Sequence, residues 1–170
     1  MAAALLITGT VGAGKTSVAD AVGDLLADAG VPGAVIDLDW LRRSWPAPRE
    51  DPFNGALTLR NLRAVAANLL VAGAERLVLA GVIESRAERR RHEEVLGVPL
   101  AVCRVHVALP EVYRRLERRH AHDRGLDWHL KRAGELAIVL DRARLADYTV
   151  DGTHGTLEEV AAEVIKGWRV

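Results

Sequence analysis

The sequence has 170 residues and a formal net charge of zero, a length that one domain fills with its own hydrophobic core, so we expect residues 1–170 to form a single domain. Without a basic field, nucleic acid is not an expected partner, and no apolar run reaches the roughly 18 residues that a membrane span needs. The first ten residues lack the charged start and cleavage site of a signal peptide, and the one cysteine, Cys103, lies in an apolar run, which together predict a cytoplasmic protein without disulfides.

Apolar runs alternate with longer amphipathic runs along the chain. The apolar runs predict strands at 4–9, 34–39, 76–84, 101–109 and 148–151. The amphipathic runs predict helices at 15–29, about 55–72, about 85–94, 110–122, 129–144 and 156–168. Because the first four strands are almost continuously apolar, they should be covered on both faces. The predicted fold class is therefore α/β, with a five-stranded parallel sheet between two layers of helices.

The run GTVGAGKT, residues 9–16, fits the phosphate-loop pattern G-x-x-x-x-G-K-[ST] between the first strand and the first helix. Glycines allow backbone angles that turn amide N–H groups inward around an anion, and the N-terminus of the next helix faces the same anion. Lys15 brings a compact charge to the outer phosphates and is a predicted catalytic residue, whereas the Thr16 hydroxyl is a predicted Mg²⁺ ligand. The predicted ATP-binding residues of this run are Gly9, Thr10, Val11, Gly12, Ala13, Gly14, Lys15, Thr16 and Ser17.

The rest of the sequence narrows the class of phosphate-loop protein. It has no Asn-Lys-x-Asp of the kind that reads guanine in GTPases, and it is too short for the extra helical domain of a ring-forming ATPase. A kinase needs only a nucleotide cradle, an acceptor pocket and a mobile basic cover. We therefore expect the phosphate-loop NTPase fold of the nucleoside-monophosphate-kinase type, and transfer of the γ-phosphoryl group of Mg-ATP to a hydroxyl of a small molecule. A regulatory or accessory ATPase without significant phosphotransfer stays open as the alternative.

The acceptor pocket is predicted at the end of the second strand, in the run VIDLDWLRRSWP. A carboxylate there can take the proton of an attacking hydroxyl and hold its oxygen in line with the γ-phosphoryl group. We expect Asp39 to be that catalytic carboxylate, with capping of a helix that begins at Trp40 as the alternative. Asp37 is a second candidate substrate-binding residue or the partner of a metal-bound water, and Arg42 is a candidate for binding an anionic group of the substrate.

In these motifs the sequence resembles the adenylylsulfate kinases, a group of phosphate-loop small-molecule kinases, and more loosely chloramphenicol phosphotransferase. Adenylylsulfate kinases carry Asp-Gly-Asp-Asn-x-Arg after the second strand, which Asp37, Asp39 and Arg42 match. They also carry Asn-x-Arg-Arg on the next helix, where Asn61 and Arg63 correspond. The resemblance implies that Asn61 and Arg63 bind the acceptor, within an acceptor region of about 37–63. In the phosphotransferase an Asp-x-Leu stretch supplies the base, and Asp39 corresponds to that residue.

The sequence also departs from the adenylylsulfate kinase pattern. Leu38 and Trp40 replace motif residues after the second strand, and Ala64 replaces the last arginine of the helix motif. The Lys-Gly-Leu-Tyr segment of the lid is missing, and Phe53 is the one phenylalanine where those enzymes stack adenine between two. The resemblance therefore implies a kinase and leaves its acceptor open: an adenylylsulfate-like compound, an antibiotic or another metabolite.

A basic cover is predicted after the fourth strand, in a lid-like segment of about 111–128. Arginines recur there on one side of a predicted helix, and one or two of them closing over the phosphates would stabilise the transition state and exclude water. We expect Arg114 and Arg118 to bind ATP, with Arg118 as the catalytic arginine. The alternative is that Glu111 and Glu117 pair with them along the helix.

Three further residues are candidates at the ends of later strands. Glu84 ends the third strand, where it could reach the acceptor or the shell of Mg²⁺. In the turn DGTHG after the last strand, Thr153 and His154 are candidates for the edge of the adenine site, with a plain helix-opening turn as the equal alternative. The expected partners are a nucleotide and a small-molecule acceptor. The oligomeric state stays open, with a homodimer among the options.

Overall fold

A computed structural model describes residues 1–121 and 125–168. The strands among them are β1 (Ala3–Thr8), β2 (Gly33–Asp37), β3 (Arg76–Ala80), β4 (Leu100–His106) and β5 (Tyr148–Asp151). The helices are α1 (Lys15–Asp28), α2 (Leu38–Leu41), α3 (Gly55–Val71), α4 (Arg86–Leu96), α5 (Leu109–Arg119), α6 (Leu126–Ala143) and α7 (Leu157–Gly167). None of these helices combines the length and the apolar character that crossing a bilayer requires.

The five strands form one parallel sheet in the order β2-β3-β1-β4-β5. The central strand β1 is covered on both faces, since all of its residues are buried. The edge strand β2 has only Ile36 buried, so the expectation of cover on both faces is wrong for β2. Leu5 and Ile7 pack into one core with α1, α5 and α7, whereas Leu6 packs into a second core with α3 and α4. The predicted α/β fold, with a five-stranded parallel sheet between helical layers, is confirmed.

The main difference from the predicted elements lies after β2. The second strand ends at Asp37 and the short helix α2 begins at once with Leu38, so the expected helix start at Trp40 is wrong. Likewise β3 ends at Ala80 and not at residue 84. The segments that follow the two strands are in contact: the fully buried side chain of Leu38 lies beside Gly81, where an added Cβ would come within 2.5 Å of Leu38. This packing brings the ends of β2 and β3 together.

The region of the predicted lid-like segment is helical on both sides of a connection. Helix α5 ends at Arg119 and α6 begins at Leu126. Residues 122–124 of the predicted lid lie outside the described residues. The inner face of α5 is anchored to the sheet by Val112 and Leu116, both fully buried, so its basic residues are confined to the outer faces.

Candidate active site

The carboxyl ends of β1, β2 and β3 open into a cleft of about 1240 Å³. Ligands of parallel α/β sheets bind beyond this edge, near the point where the strand order changes direction. The cleft is lined by residues of the segments 11–17, 37–43, 50–59, 82–92 and 128–136, and by Arg119. The predicted donor and acceptor regions therefore face one continuous space.

The phosphate loop has the backbone that its glycines predict. Gly12 and Gly14 lie in the left-handed region with φ of 81° and 83°, and Gly14 is the residue from which α1 starts. A Cβ on Gly12 would also lie 3.0 Å from Leu116, because α5 packs directly against the loop. The loop is thus held between the sheet and α5, with the start of α1 open towards the cleft.

The predicted ATP-binding residues of the loop divide into two groups. One group supports the loop from behind: Gly9 packs against the backbone of β4, where an added Cβ would lie 2.7 Å from the Val105 carbonyl oxygen, and Thr10 and Ala13 are buried. The other group faces the cleft and consists of Val11, Gly12, Gly14, Lys15, Thr16 and Ser17. Only the second group lines the cleft, and contact of the nine residues with ATP stays a prediction.

Lys15 is the first residue of α1, and its side chain reaches back to the loop. Its ammonium group donates a 2.8 Å hydrogen bond to the carbonyl oxygen of Thr10. Burial lowers the pKa of Lys15 to about 8, against the opposing attraction of Asp39 and Asp37 and with a small further lowering by Arg119. A group whose charge is this costly in the free protein gains from an incoming polyanion, because the anion replaces the solvation that burial removes.

Thr16 connects the phosphate loop to the acceptor region. Its hydroxyl donates a 2.8 Å hydrogen bond to Oδ2 of Asp37. The other oxygen of Asp37 accepts a 2.8 Å hydrogen bond from the backbone N–H of Asp39, and Asp37 is therefore the N-cap of α2. Capping by Asp39, the expected alternative to a catalytic role, does not occur: the capping residue is Asp37, two positions earlier.

Asp39 does not cap α2, and its side chain lines the cleft. Its side chain is 72% exposed, and its Oδ1 lies 3.5 Å from Nε of Arg42. Arg42 is partly buried and also lines the cleft. The two predicted acceptor residues therefore form a loose ion pair close to Lys15, whose pKa responds to the Asp39 charge.

Asn61 and Arg63, the two residues of α3 that the family resemblance assigns to the acceptor, lie outside the lining of the cleft. Asn61 donates a 2.7 Å hydrogen bond to the carbonyl oxygen of Leu41 and so ties α3 to the end of α2. Arg63 is exposed, and neither residue lines the cleft. Their predicted role in binding the acceptor stays a prediction, and the contact of Asn61 supports the acceptor region from outside.

Glu84 lines the cleft and pairs with a residue that sequence reasoning missed. Its carboxylate forms a close ion pair with Arg132 of α6. The Arg132 guanidinium also lies over the ring of Phe53, 5.5 Å from its centroid. These contacts join the segment between β3 and α4, helix α6 and the loop before α3. Arg132 gave no signal in the sequence, because it is one of many arginines on helices and its partner is 48 positions away.

The predicted lid arginines, Arg114 and Arg118, are absent from the lining of the cleft, and their contact with ATP stays a prediction. Arg114 and Arg118 are 69% and 74% exposed, both are paired with Glu111, and neither lines the cleft. Arg115 donates to Glu111 and to the Gly152 carbonyl oxygen, at 3.0 and 2.9 Å. Of the basic residues on α5, Arg119 is the one that lines the cleft. The pairing with Glu111 that was the open alternative is therefore present.

The predicted adenine-edge residues also lie outside the lining of the cleft. The Thr153 hydroxyl accepts a 3.0 Å hydrogen bond from the backbone N–H of Ala108, and its own N–H donates to Asp151 at 2.8 Å. His154 is exposed. Thr156 then opens α7 with a complete capping box to Glu159. The turn therefore holds the starts of α5 and α7, and adenine contact by Thr153 and His154 stays a prediction.

Aromatic side chains surround the mouth of the cleft. Trp40, Phe53 and Trp128 line it and are 69%, 50% and 54% exposed. The chain has only seven aromatic residues of the Trp, Tyr and Phe types, so three in one opening form an unusual concentration. Exposed aromatic faces offer stacking and apolar contact to a ligand. The segment before α3 that carries Phe53 is fixed by buried Asn54, whose amide donates to the carbonyl oxygens of Arg42 and Ser44.

The family model for adenylylsulphate kinase matches residues 1–140, which include the phosphate loop and all residues that line the cleft. The chain belongs to the adenylylsulphate kinase family. Membership in this family makes the protein a small-molecule kinase, a phosphotransferase with an alcohol group as acceptor. The suspected resemblance is confirmed, and with it the assignment to the phosphate-loop kinases.

Solved structures of other phosphate-loop kinases share the fold. A gluconokinase from Sinorhizobium meliloti 1021 has a TM-score of 0.64 at 20% identity, covering 97% of this chain and 90% of its own. The Mycobacterium tuberculosis APS kinase in complex with AMPPNP and APS has a TM-score of 0.62 at 24% identity, covering 98% and 96%. A shikimate kinase from Acinetobacter baumannii in complex with shikimate has a TM-score of 0.59 at 20% identity, covering 98% and 92%. None of the curated proteins matches the chain.

Proposed function

We propose that this kinase transfers the γ-phosphoryl group of Mg-ATP to a hydroxyl of a small-molecule acceptor bound between α2, α4 and α6. The observation that carries the proposal is the chain of contacts from Thr16 through Asp37 to the backbone of Asp39. This chain joins the donor loop to the acceptor carboxylate through a single side chain. Positioning of the two reactants and stabilisation of charge together supply most of the rate enhancement in phosphoryl transfer, and such a link fixes the relative position of the reactants.

The donor half of the cleft fits a nucleotide triphosphate tail. The amide N–H groups of the loop and the N-terminus of α1 supply donors and a positive dipole end to phosphate oxygens. Lys15 would leave the Thr10 carbonyl oxygen and contact the outer phosphates, gaining charge stabilisation that the free protein lacks. Arg119 faces the same space and is the arginine best placed to neutralise charge as the γ-phosphoryl group moves.

The residues present also fit Mg²⁺. Thr16 and Asp37 present hydroxyl and carboxylate oxygens side by side, and oxygen ligands are those that Mg²⁺ prefers. They would hold the ion, Thr16 directly and Asp37 through a bound water, and the ion would neutralise charge on the β- and γ-phosphates. The carboxylate of Asp37 would then also keep the Thr16 hydroxyl turned towards the ion.

Asp39 is the proposed base of the transfer step. The acceptor hydroxyl donates its proton to the Asp39 carboxylate while its oxygen forms a bond to the γ-phosphorus, and the bond from that phosphorus to the β–γ bridging oxygen breaks. The products are ADP and a phosphate ester, and the proton leaves Asp39 to water. The position of the carboxylate supports this role, because it lines the cleft and its 72% exposed side chain is open to an acceptor hydroxyl.

The size and lining of the cleft support a second ligand beside ATP. Its volume of about 1240 Å³ exceeds the range of roughly 300–1,000 Å³ that one ligand occupies. The aromatic mouth of Trp40, Phe53 and Trp128 favours an acceptor with a flat or apolar face. Arg42 favours an acceptor with an anionic group. An adenylylsulfate-like compound, a hydroxylated metabolite or an antibiotic each meets part of this description.

The proposal is tested by an acceptor screen. The protein is incubated with Mg-ATP and, separately, with adenylylsulfate, gluconate, shikimate, chloramphenicol and a library of hydroxylated metabolites. Mass spectrometry should detect a phosphate ester of at least one acceptor together with an equal amount of ADP. ADP released only by hydrolysis, with no ester in any arm and nucleotide binding intact, would favour the regulatory or accessory alternative.

A further inference from the structure

His92 is a buried histidine that lines the cleft and has no proposed role in binding ATP. It lies on α4, is 8% exposed and faces the same side of the helix as Glu88 and Arg91, which also line the cleft. Its Nδ1 lies 2.8 Å from the carbonyl oxygen of Glu88. A carbonyl oxygen only accepts hydrogen bonds, so Nδ1 carries the proton and Nε2 of the neutral ring is an acceptor.

The surroundings keep this ring neutral. Burial lowers the pKa of His92, and the charges of Arg42 and Arg91 lower it further, whereas the Glu88 carbonyl and carboxylate oppose the shift. These are the charged groups that act on it from α4 and from the segment after α2. When the ring is neutral and Nδ1 donates to Glu88, the lone pair on Nε2 can still accept a hydrogen bond.

Several carboxylate oxygens on this side of the cleft already accept hydrogen bonds. Glu88 accepts from the backbone N–H of Glu84 at 2.6 Å. Both oxygens of Asp51 accept from backbone amides at the start of α3, at 2.8 and 2.9 Å. Among the described residues, His92 Nε2 takes part in no hydrogen bond.

We propose that His92 is a specificity-determining residue for the molecule that is phosphorylated. Its Nε2 accepts a hydrogen bond from an O–H or N–H group of that molecule, separate from the hydroxyl that receives the phosphoryl group. This inference rests on the proposed kinase function and specifies its substrate class. The phosphoryl acceptor therefore carries at least two separated hydrogen-bond donor groups. One is the hydroxyl that is phosphorylated beside Asp39, and the other is a hydroxyl or amino group that reaches α4. A carboxylate or sulfate cannot occupy the Nε2 position, because two lone pairs would face each other.

Kinetics of matched variants test the proposal on the acceptor that the screen identifies among the compounds named above. His92→Leu removes the hydrogen-bond acceptor and should raise the KM of that compound about tenfold, the effect of one lost hydrogen bond, with the KM for ATP unchanged. His92→Gln places an amide oxygen near the position of Nε2 and should recover most of the loss. His106→Leu, a change at an exposed histidine outside the cleft, is the control and should leave both constants unchanged.

Analogues of the phosphoryl acceptor show whether His92 binds that molecule directly or only supports the structure of the cleft. Replacing the second donor group by hydrogen should raise KM about tenfold in the wild-type protein and have little effect in His92→Leu, because the two changes remove the same hydrogen bond. If every analogue loses the same factor in both proteins, His92 does not read the acceptor and the proposal is overturned.

A second measurement does not depend on any acceptor. Long-range ¹H–¹⁵N NMR of the ATP-loaded protein should show His92 as the neutral tautomer with its proton on Nδ1. A proton on Nε2 would overturn the proposal, since that nitrogen could then not accept. A screen without any phosphorylated product counts against the kinase proposal, and the tautomer still decides whether His92 offers a lone pair to the cleft.

Discussion

The hydroxyl of Thr16 donates a 2.8 Å hydrogen bond to Oδ2 of Asp37. This contact links the first residues of α1 to the end of β2, two elements that are 21 positions apart in the chain. Asp37 uses its other oxygen to cap α2. The Asp37 carboxylate therefore contacts both Thr16, the proposed Mg²⁺ ligand, and the start of α2, which carries Asp39. Substitutions of Asp37 should separate the effect on Mg²⁺ from the effect on the cap of α2.

Asp37→Asn should weaken Mg²⁺ use and preserve the fold. The asparagine oxygen still caps α2, so the melting temperature should stay within a degree or two of wild type, whereas the lost charge should raise the Mg²⁺ concentration at half-maximal rate about tenfold. Asp37→Ala should show the same kinetic change and also lose about 1 kcal/mol of stability with the cap. Initial rates against Mg²⁺ concentration, with calorimetric melting, measure both. An unchanged Mg²⁺ dependence in Asp37→Asn would contradict the assignment.

Lys15 should take up a proton when ATP binds near pH 8. Its pKa is lowered to about 8 in the free protein, so about half of the side chains are uncharged at that pH, and the phosphates raise the pKa again on binding. Titration calorimetry in two buffers with different ionisation enthalpies should give about half a proton at pH 8 and almost none at about pH 6. Lys15→Arg is the control, because arginine stays charged and should show no uptake from this site. Equal uptake at both pH values would contradict the shift.

Lys15→Met should stabilise the nucleotide-free protein. The lowered pKa means that the charged form is less favourable in the folded than in the unfolded chain, so at neutral pH the ammonium group costs stability. Each kcal/mol recovered should raise the melting temperature by about 2–4 °C in a chain of this length. The variant should also lose the stabilisation that ATP gives to the wild-type protein. A lower melting temperature without nucleotide would count against this account of the site.

Gly12→Ala should destabilise the protein more than Gly97→Ala. Both glycines lie in the left-handed region, with φ of 81° and 68°, so alanine is strained at either position. Only at Gly12 does the added Cβ meet other atoms, 3.0 Å from Leu116, whereas the space around Gly97 is open. The extra overpacking should cost about 1–3 kcal/mol in denaturant unfolding. Equal losses in the two variants would show that α5 does not constrain the loop.

The sequence was sufficient for the fold and for the backbone of the phosphate loop, because both depend on local patterns. The phosphate loop needs a fixed spacing of Gly12, Gly14 and Lys15, and buried parallel strands read as apolar runs. The start of α2 was missed by two residues, because the fit of Leu38 against Gly81 is a contact between distant segments.

The acceptor half was harder to read, for a compositional reason. The sequence has 23 lysines and arginines, of which only Lys15, Lys131 and Lys166 are lysine, leaving 20 arginines. An arginine that lines the cleft, such as Arg132, therefore looks like the many arginines on exposed helix faces. Only packing between helices distinguishes them. The same holds for His92, whose orientation depends on a helix turn and on contacts that no short motif encodes.

The most direct test of the central claim compares wild-type protein with Asp39→Asn on the acceptor identified by the screen, at saturating Mg-ATP. The phosphate ester should form in the wild-type protein, and its rate should fall by about 10²–10⁴-fold in the variant while the affinity for ATP is unchanged. A variant that forms the ester at the wild-type rate, or a wild-type protein that forms none from any hydroxyl compound, would contradict transfer to a hydroxyl oriented by Asp39.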